Sequence, residues 1–214
     1  APSTLPNSTR LPEAAPEAPD SSLLAFYRFH APVYDWTRVF ILFGRHEMVR
    51  RLDVHVGARV LDVGCGTGWN FGPLLSRGAS IVGIECSPHM RERAERRGRR
   101  LGGAVRVDPR PYGSHGGYER SADHILFSYS LTMIPPFASV LSRARADLVP
   151  GGRIGVVDFL EATNAPTRVW LRANHVVLGR ERLELLSRLF PEHTIEVRSA
   201  GLWRYFLFLG STRA

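Results

Sequence analysis

Apolar positions in this chain fall into short blocks separated by longer amphipathic stretches. Residues 60–63 and 81–84 are blocks dominated by branched aliphatic side chains, and they read as buried parallel strands. Runs at 104–107, 124–127, 153–159, 193–198 and 202–209 also read as strands, which makes seven in all. Between them, residues 69–77, 88–102, 136–148, 165–177 and 180–189 read as helices. Local punctuation supports these limits. Gly78 ends the first helix, Ser87-Pro88 supplies an N-cap and a first turn, and Gly102-Gly103 stop the helix that follows. Upstream the character changes. Residues 1–20 hold five prolines and few large apolar groups, the composition of a disordered tail. Residues 21–29 and 32–51 read as two helices rich in aromatic side chains.

The first strand runs into Asp62-Val63-Gly64-Cys65-Gly66-Thr67-Gly68. Gly64 and Gly66 let the backbone turn tightly and approach a ligand, and Gly68 lets the next helix pack against the strand. The spacing is not the dinucleotide fingerprint, since the third glycine comes one residue early and Trp69 follows it. The second strand ends in Glu85, 23 positions after Asp62. An acid about 20 residues on, at the end of the second strand, is where an α/β nucleotide fold binds a ribose diol. The run at 124–127 leads into Ser128-Tyr129-Ser130, placing three hydroxyls at the C-terminal edge of a strand, where open α/β sheets bind ligands.

Asp-x-Gly-x-Gly-x-Gly followed by a strand-end acid resembles the first motifs of class I S-adenosylmethionine (SAM) methyltransferases. The resemblance implies an α/β, Rossmann-like fold: a seven-stranded, mostly parallel sheet with a terminal antiparallel pair, helices on both faces and an N-terminal helical lid. It divides the chain into a tail (1–20), a lid (21–55) and a SAM-binding core (56–214). SAM is implied as co-substrate, with Asp62 serving its ammonium, Glu85 its ribose and Asp108, at the end of the third strand, its adenine amino group. Gly64, Cys65, Gly66, Gly68, Asn70, Cys86 and Ser128 complete the expected cofactor contacts. The turn Pro150-Gly151-Gly152 before the fifth strand is also typical of the family.

Within that superfamily, Ser128-Tyr-Ser-Leu-Thr-Met-Ile-Pro135, Val156-Val-Asp-Phe159 and Asn174-His-Val176 resemble the N-methyltransferases that build the trimethylated homoserine head group of betaine lipids. The expected reaction is N-methyl transfer to a small amino-acid-like molecule. Methyl transfer is an in-line displacement governed by positioning and exclusion of water, so few catalytic groups are needed. Tyr129, Tyr34 and His30 are the candidates to orient the acceptor or take its proton, and Tyr27, Trp36 and His175 are the candidates to line its site. Polar-tipped aromatic rings suit a cationic acceptor. The alternative is attack at the γ-carbon of SAM, as aminocarboxypropyl transfer or as cyclisation to azetidine-2-carboxylate or 1-aminocyclopropane-1-carboxylate, releasing methylthioadenosine. A SAM-binding protein without catalysis is a third reading, opposed by the intact first motif.

Composition narrows the partners. All 28 basic residues are Arg, as in proteins of GC-rich genomes, and the net charge is +8. The densest arginine run, 91–100, lies on a helix without the interleaved aromatics that stack single-stranded bases, so it reads as a solvated face and nucleic acid is not an expected substrate. Two cysteines, no metal-ligand spacing, no signal pattern and no apolar run near ~20 residues point to a cytoplasmic, metal-free small-molecule enzyme. Peripheral membrane contact follows if the substrate is a lipid. Oligomeric state leaves no trace in the sequence.

Overall fold

The computed structural model describes residues 42–113 and 118–213. The expected tail, most of the expected lid, and Tyr27, His30, Tyr34 and Trp36 lie outside the described residues. The order is α1 (Arg45–Arg51), β1 (Arg59–Val63), α2 (Phe71–Leu75), β2 (Ser80–Ile84), α3 (Pro88–Leu101), β3 (Val105–Asp108), β4 (Ala122–Ser128), a 3₁₀ turn (Leu131–Met133), α4 (Phe137–Asp147), β5 (Leu148–Ala162), α5 (Ala165–Ala173), α6 (Glu181–Leu189), β6 (Glu192–Ser199) and β7 (Trp203–Ser211).

The seven strands form one sheet in the order β3-β2-β1-β4-β5-β7-β6. β1 to β5 are parallel, while β7 runs antiparallel to both β5 and β6. Strand order reverses between β1 and β4, so the loops after these two strands diverge and leave a crevice at the C-terminal edge. Alternation along the strands sorts the core into two layers. Leu61, Val63, Ile125, Phe127, Val156 and Phe206 pack on one face, with Val140, Leu141 and Ala144 of α4 and Leu186 of α6. Val60, Ile81, Leu126, Val157 and Leu207 pack on the other, with Met48 and Val49 of α1.

The expected strands and most helices are present, and the deviations have local causes. β5 extends from Leu148 to Ala162 instead of 153–159. The turn stays in the sheet because Gly151 and Gly152 bond to Arg213 and Thr212 beyond β7. α2 is only Phe71–Leu75; Asn70 at its N-cap makes no capping bond, and its amide nitrogen donates to Asp62. α5 stops at Ala173 rather than 177, because His175 turns left-handed (φ 59°) and Val176 N–H bonds back to the Leu171 carbonyl. A helix continuous over 32–51 is overturned at Gly44, which is left-handed (φ 81°) and starts α1 afresh. Ser87 does cap the α3 N-terminus by position, but its hydroxyl makes no capping bond. The arginine run behaves as expected. Met90, Ala94 and Gly98 face the sheet, while Arg91 and Arg99 pair with Glu95 and Arg96 with Glu92.

Candidate active site

The crevice is framed by the loop after β1. Gly64 has φ 67°, and a Cβ there would lie 2.5 Å from Cβ of Ser130, whose hydroxyl donates to the Val63 carbonyl at 2.6 Å. Only glycine accepts both the dihedral and the close approach of the β4 loop. Gly66 differs: a Cβ there would meet nothing within 4 Å, so this turn faces open space. Gly68 abuts the Phe71 ring, the close helix packing expected of the third glycine. Cys65 is buried with its sulfur against Gly83, and burial holds its thiol well above the usual range. Burial also pushes Cys86 up to about 11, with Glu85 adding to it. Both are protonated and inert at neutral pH.

Three carboxylates stand at the strand ends in different environments. Asp62 is fully buried, and both its oxygens accept from the Asn70 amide at 3.2 Å. Burial pushes its pKa up to about 7, against the pull of Asn70 and the Arg45 charge. Glu85 organises the loops: Oε2 accepts from Gly66 N–H at 3.0 Å and Oε1 from Ser87 N–H at 2.8 Å. Asp108 is more heavily engaged. It accepts from Arg110 Nε (3.0 Å), Nη2 (2.7 Å) and N–H (3.0 Å), and from the Tyr118 hydroxyl (2.5 Å). These bonds, Arg110 first, hold its pKa far below the carboxylate range despite burial. A contact to an adenine amino group there requires one of these donors to give way.

Two hydroxyls complete the frame. Ser87 Oγ after β2 and Ser128 Oγ at the end of β4 are buried and have no hydrogen-bond partner among the described residues. Buried polar groups without partners are rare in native folds. Ser128 ends β4 and Ser87 follows β2, the strands on either side of β1. The open Gly66 turn, the Glu85 carboxylate and these two hydroxyls suit a polar ligand such as SAM. Ser128 was an expected contact. Ser87 was read only as a helix cap, and its lack of a capping bond becomes visible only in three dimensions.

The profile of the family described as "Methyltransferase domain" matches residues 36–204. The chain belongs to this methyltransferase family. Its class I fold and SAM-dependent enzyme class are those the first motifs implied. Among curated proteins, the demethylmenaquinone methyltransferase of Tropheryma whipplei is 32% identical over 135 residues, covering 60% of this chain and 55% of that protein. The chain therefore spans about half the length of that relative. The demethylmenaquinone methyltransferase of Oceanobacillus iheyensis is 24% identical over 176 residues, 74% of this chain and 69% of its own. Among solved structures, Haemonchus contortus phosphoethanolamine N-methyltransferase 2 with S-adenosyl-L-methionine superposes at a TM-score of 0.70 and 14% identity, covering 79% of this chain and 52% of that one. Burkholderia thailandensis 1,6-didemethyltoxoflavin-N1-methyltransferase, with its substrate and S-adenosylhomocysteine, superposes at 0.65 and 21% identity, covering 96% and 94%.

Beyond Ser128 stands a cluster of rings that strand patterning did not reveal, with Tyr129, Phe159, Trp203 and Tyr205 buried and Phe43 half exposed. Tyr129 follows Ser128 and meets Phe159 of β5 edge-on, 4.8 Å between centroids. Phe159 meets Trp203 of β7 at 6.0 Å, and Phe43 lies 6.5 Å from Trp203 and 6.3 Å from Tyr205. The Arg45 guanidinium stands 5.8 Å from the Tyr129 ring centre. Trp203 Nε1–H is buried without a partner among the described residues. Tyr129 is left-handed (φ 57°), uncommon for a bulky residue and a pointer to a functional constraint. His175 lies on the half-buried turn after α5, two residues before Val177, whose N–H donates to the Thr132 carbonyl. Asp158, buried within β5, accepts from Thr132 N–H and Oγ1 and so fixes the 3₁₀ turn.

Proposed function

We propose that this chain transfers the SAM methyl group to the nitrogen of a small amino-acid-like acceptor seated against the wall of Phe43, Tyr129, Phe159 and Trp203. The wall carries the reading. Aromatic faces attract ammonium groups, and an amine acceptor gains positive charge with each methyl it receives. Arg45, beside Tyr129 and within electrostatic reach of Asp62, suits the carboxylate that such an acceptor also carries. SAM supplies an activated methyl on a sulfonium. The protein's part is to hold donor and acceptor in line and exclude water. In this reading Glu85, Gly66, Ser87 and Ser128 hold the donor, and the rings hold the acceptor. The betaine-lipid resemblance makes a homoserine head group the first acceptor to test.

A second reading, methyl transfer to a ring carbon of a quinol-like acceptor, is supported by the names of the demethylmenaquinone methyltransferases and by the unpartnered Trp203 N–H, which suits a ring oxygen. Mass spectrometry of the protein with SAM and either amino-acid head groups or reduced naphthoquinones separates the two. S-adenosylhomocysteine formed with the amines supports N-methylation, and its formation with the quinols alone selects the second reading. Methylthioadenosine released from SAM without an acceptor would overturn both.

A further inference from the structure

No helix among the described residues is long and apolar enough to cross a membrane. One short helix nevertheless presents a surface unlike the rest of the molecule. Only Thr167 and Leu171 of α5 are buried, while Val169 is 68% and Trp170 46% exposed. Val177 and Leu202 are exposed to a similar degree. Val177 follows α5 in the chain, and the Leu202 segment is tied to its start. Thr163, just before α5, donates its N–H and hydroxyl to the Leu202 carbonyl at 3.1 and 2.8 Å, and Val177 N–H donates to Thr132 at 3.0 Å. Both ends of the segment are thereby held at the C-terminal edge of the sheet, over the loops that frame the active site.

The segment itself carries charge of one sign, flanked by Glu161, which pairs with Arg204, and by Glu181, whose carboxylate lies against Gly179. No acidic residue occurs from Ala162 to Arg180, whereas Arg168, Arg172 and Arg180 all do. All three are exposed, and none enters an ion pair among the described residues. α3, also rich in arginine, is different: Glu92 and Glu95 neutralise part of its charge at i,i+4 spacing. An exposed Trp and Val interleaved with unneutralised arginines is the composition of helices that lie in the plane of a bilayer interface. A second copy of this chain is a poor occupant, because a two-fold contact would set arginine against arginine.

We infer that the α5 face, with Val177 and Leu202, docks on a lipid surface carrying anionic head groups. Trp170 and Val169 enter the interface, and Arg168, Arg172 and Arg180 meet the phosphates. The mouth of the active site then faces the bilayer, which would give it direct access to a lipid-borne acceptor. Docking itself does not depend on which acceptor is methylated.

The test is co-sedimentation of the full chain with vesicles of phosphatidylcholine alone or mixed with phosphatidylglycerol. Binding is expected only to the mixed vesicles. It should weaken with added salt and fall by about tenfold or more in the R168E/R172E variant. Trp170→Ser should weaken binding at any salt concentration. SAM affinity, read by calorimetry, should stay unchanged in each variant and certifies that it is folded. Equal binding to both vesicles, binding to neither, or binding indifferent to these substitutions would overturn the proposal. So would self-association of the wild type that Trp170→Ser abolishes, which would mark the face as a contact between copies.

Discussion

The Tyr129 hydroxyl donates a 2.8 Å hydrogen bond to the carbonyl of Phe43, 86 positions earlier in the chain. This bond ties the end of β4 to the segment entering α1 and places Phe43 against Trp203 and Tyr205. In the proposed reaction, a phenol committed to a backbone carbonyl would act by positioning the acceptor wall. Tyr129→Phe keeps the ring but orphans the Phe43 carbonyl. It should cost about 1 kcal/mol of stability and lower kcat several-fold while leaving SAM affinity nearly intact. An unaltered rate would remove Tyr129 from the mechanism.

Under the proposed donor site, Asp62 should set a pH dependence for SAM binding. Burial raises its pKa to about 7, so much of it is protonated at neutral pH in the free protein. An ammonium nearby favours the carboxylate, so SAM binding should release a proton and tighten as pH rises through 7. Calorimetry in buffers of different ionisation enthalpy reads that release directly, and Asp62→Asn should abolish it. In stability terms a raised carboxyl pKa works the other way: its contribution is complete below the unfolded pKa of about 3.9 and is lost as pH climbs through 7.

Glu85 holds Gly66 and Ser87 through separate oxygens, at 3.0 and 2.8 Å. Glu85→Ala should weaken SAM binding by about 10- to 100-fold, the range for losing a charged hydrogen bond. Glu85→Gln retains one acceptor oxygen and should fall between alanine and wild type. Titration of each variant with SAM decides the matter, and identical affinities would exclude Glu85 from the donor site.

At Gly64 the steric margin is negative, with 2.5 Å from an added Cβ to Ser130 Cβ at a left-handed dihedral. Gly64→Ala should lower stability by ~1–3 kcal/mol and displace the loop. Gly66→Ala meets open space but the same kind of dihedral (φ 57°), so its larger loss should be in SAM affinity. Thermal melts with and without SAM separate the two effects.

At the opposite edge of the sheet, His124 is buried with both ring nitrogens unpartnered and its ring 5.8 Å from that of His55. Burial, then His55 and Arg153, lowers its pKa to about 4, while Asp123 and Asp53 act in the opposite direction. With the folded pKa below the unfolded value of ~6.5, its contribution to stability is present above 6.5 and is lost as pH falls toward 4. The melting temperature should drop across that window, and His124→Leu should reduce the drop.

The parts of this protein legible in its sequence were those with local causes. Strand blocks, the glycines after β1, Glu85 at the end of β2 and the Pro-Gly-Gly turn follow from period, dihedral demand and chain punctuation, which neighbours in sequence express. They suffice for the sheet, the crevice and the donor class. Tertiary structure decided which groups are already spent. Asp108 is saturated by Arg110 and Tyr118, Asn70 turns to Asp62, and Ser87 leaves its cap position unbonded. It also assembled the wall from Phe43, Tyr129, Phe159 and Trp203, which lie on segments far apart in the chain, and left one face of α5 uncovered. A hydrogen-bond partner or a packing neighbour is a property of proximity in space, and chain spacing carries no record of it until the sheet brings distant residues to one edge.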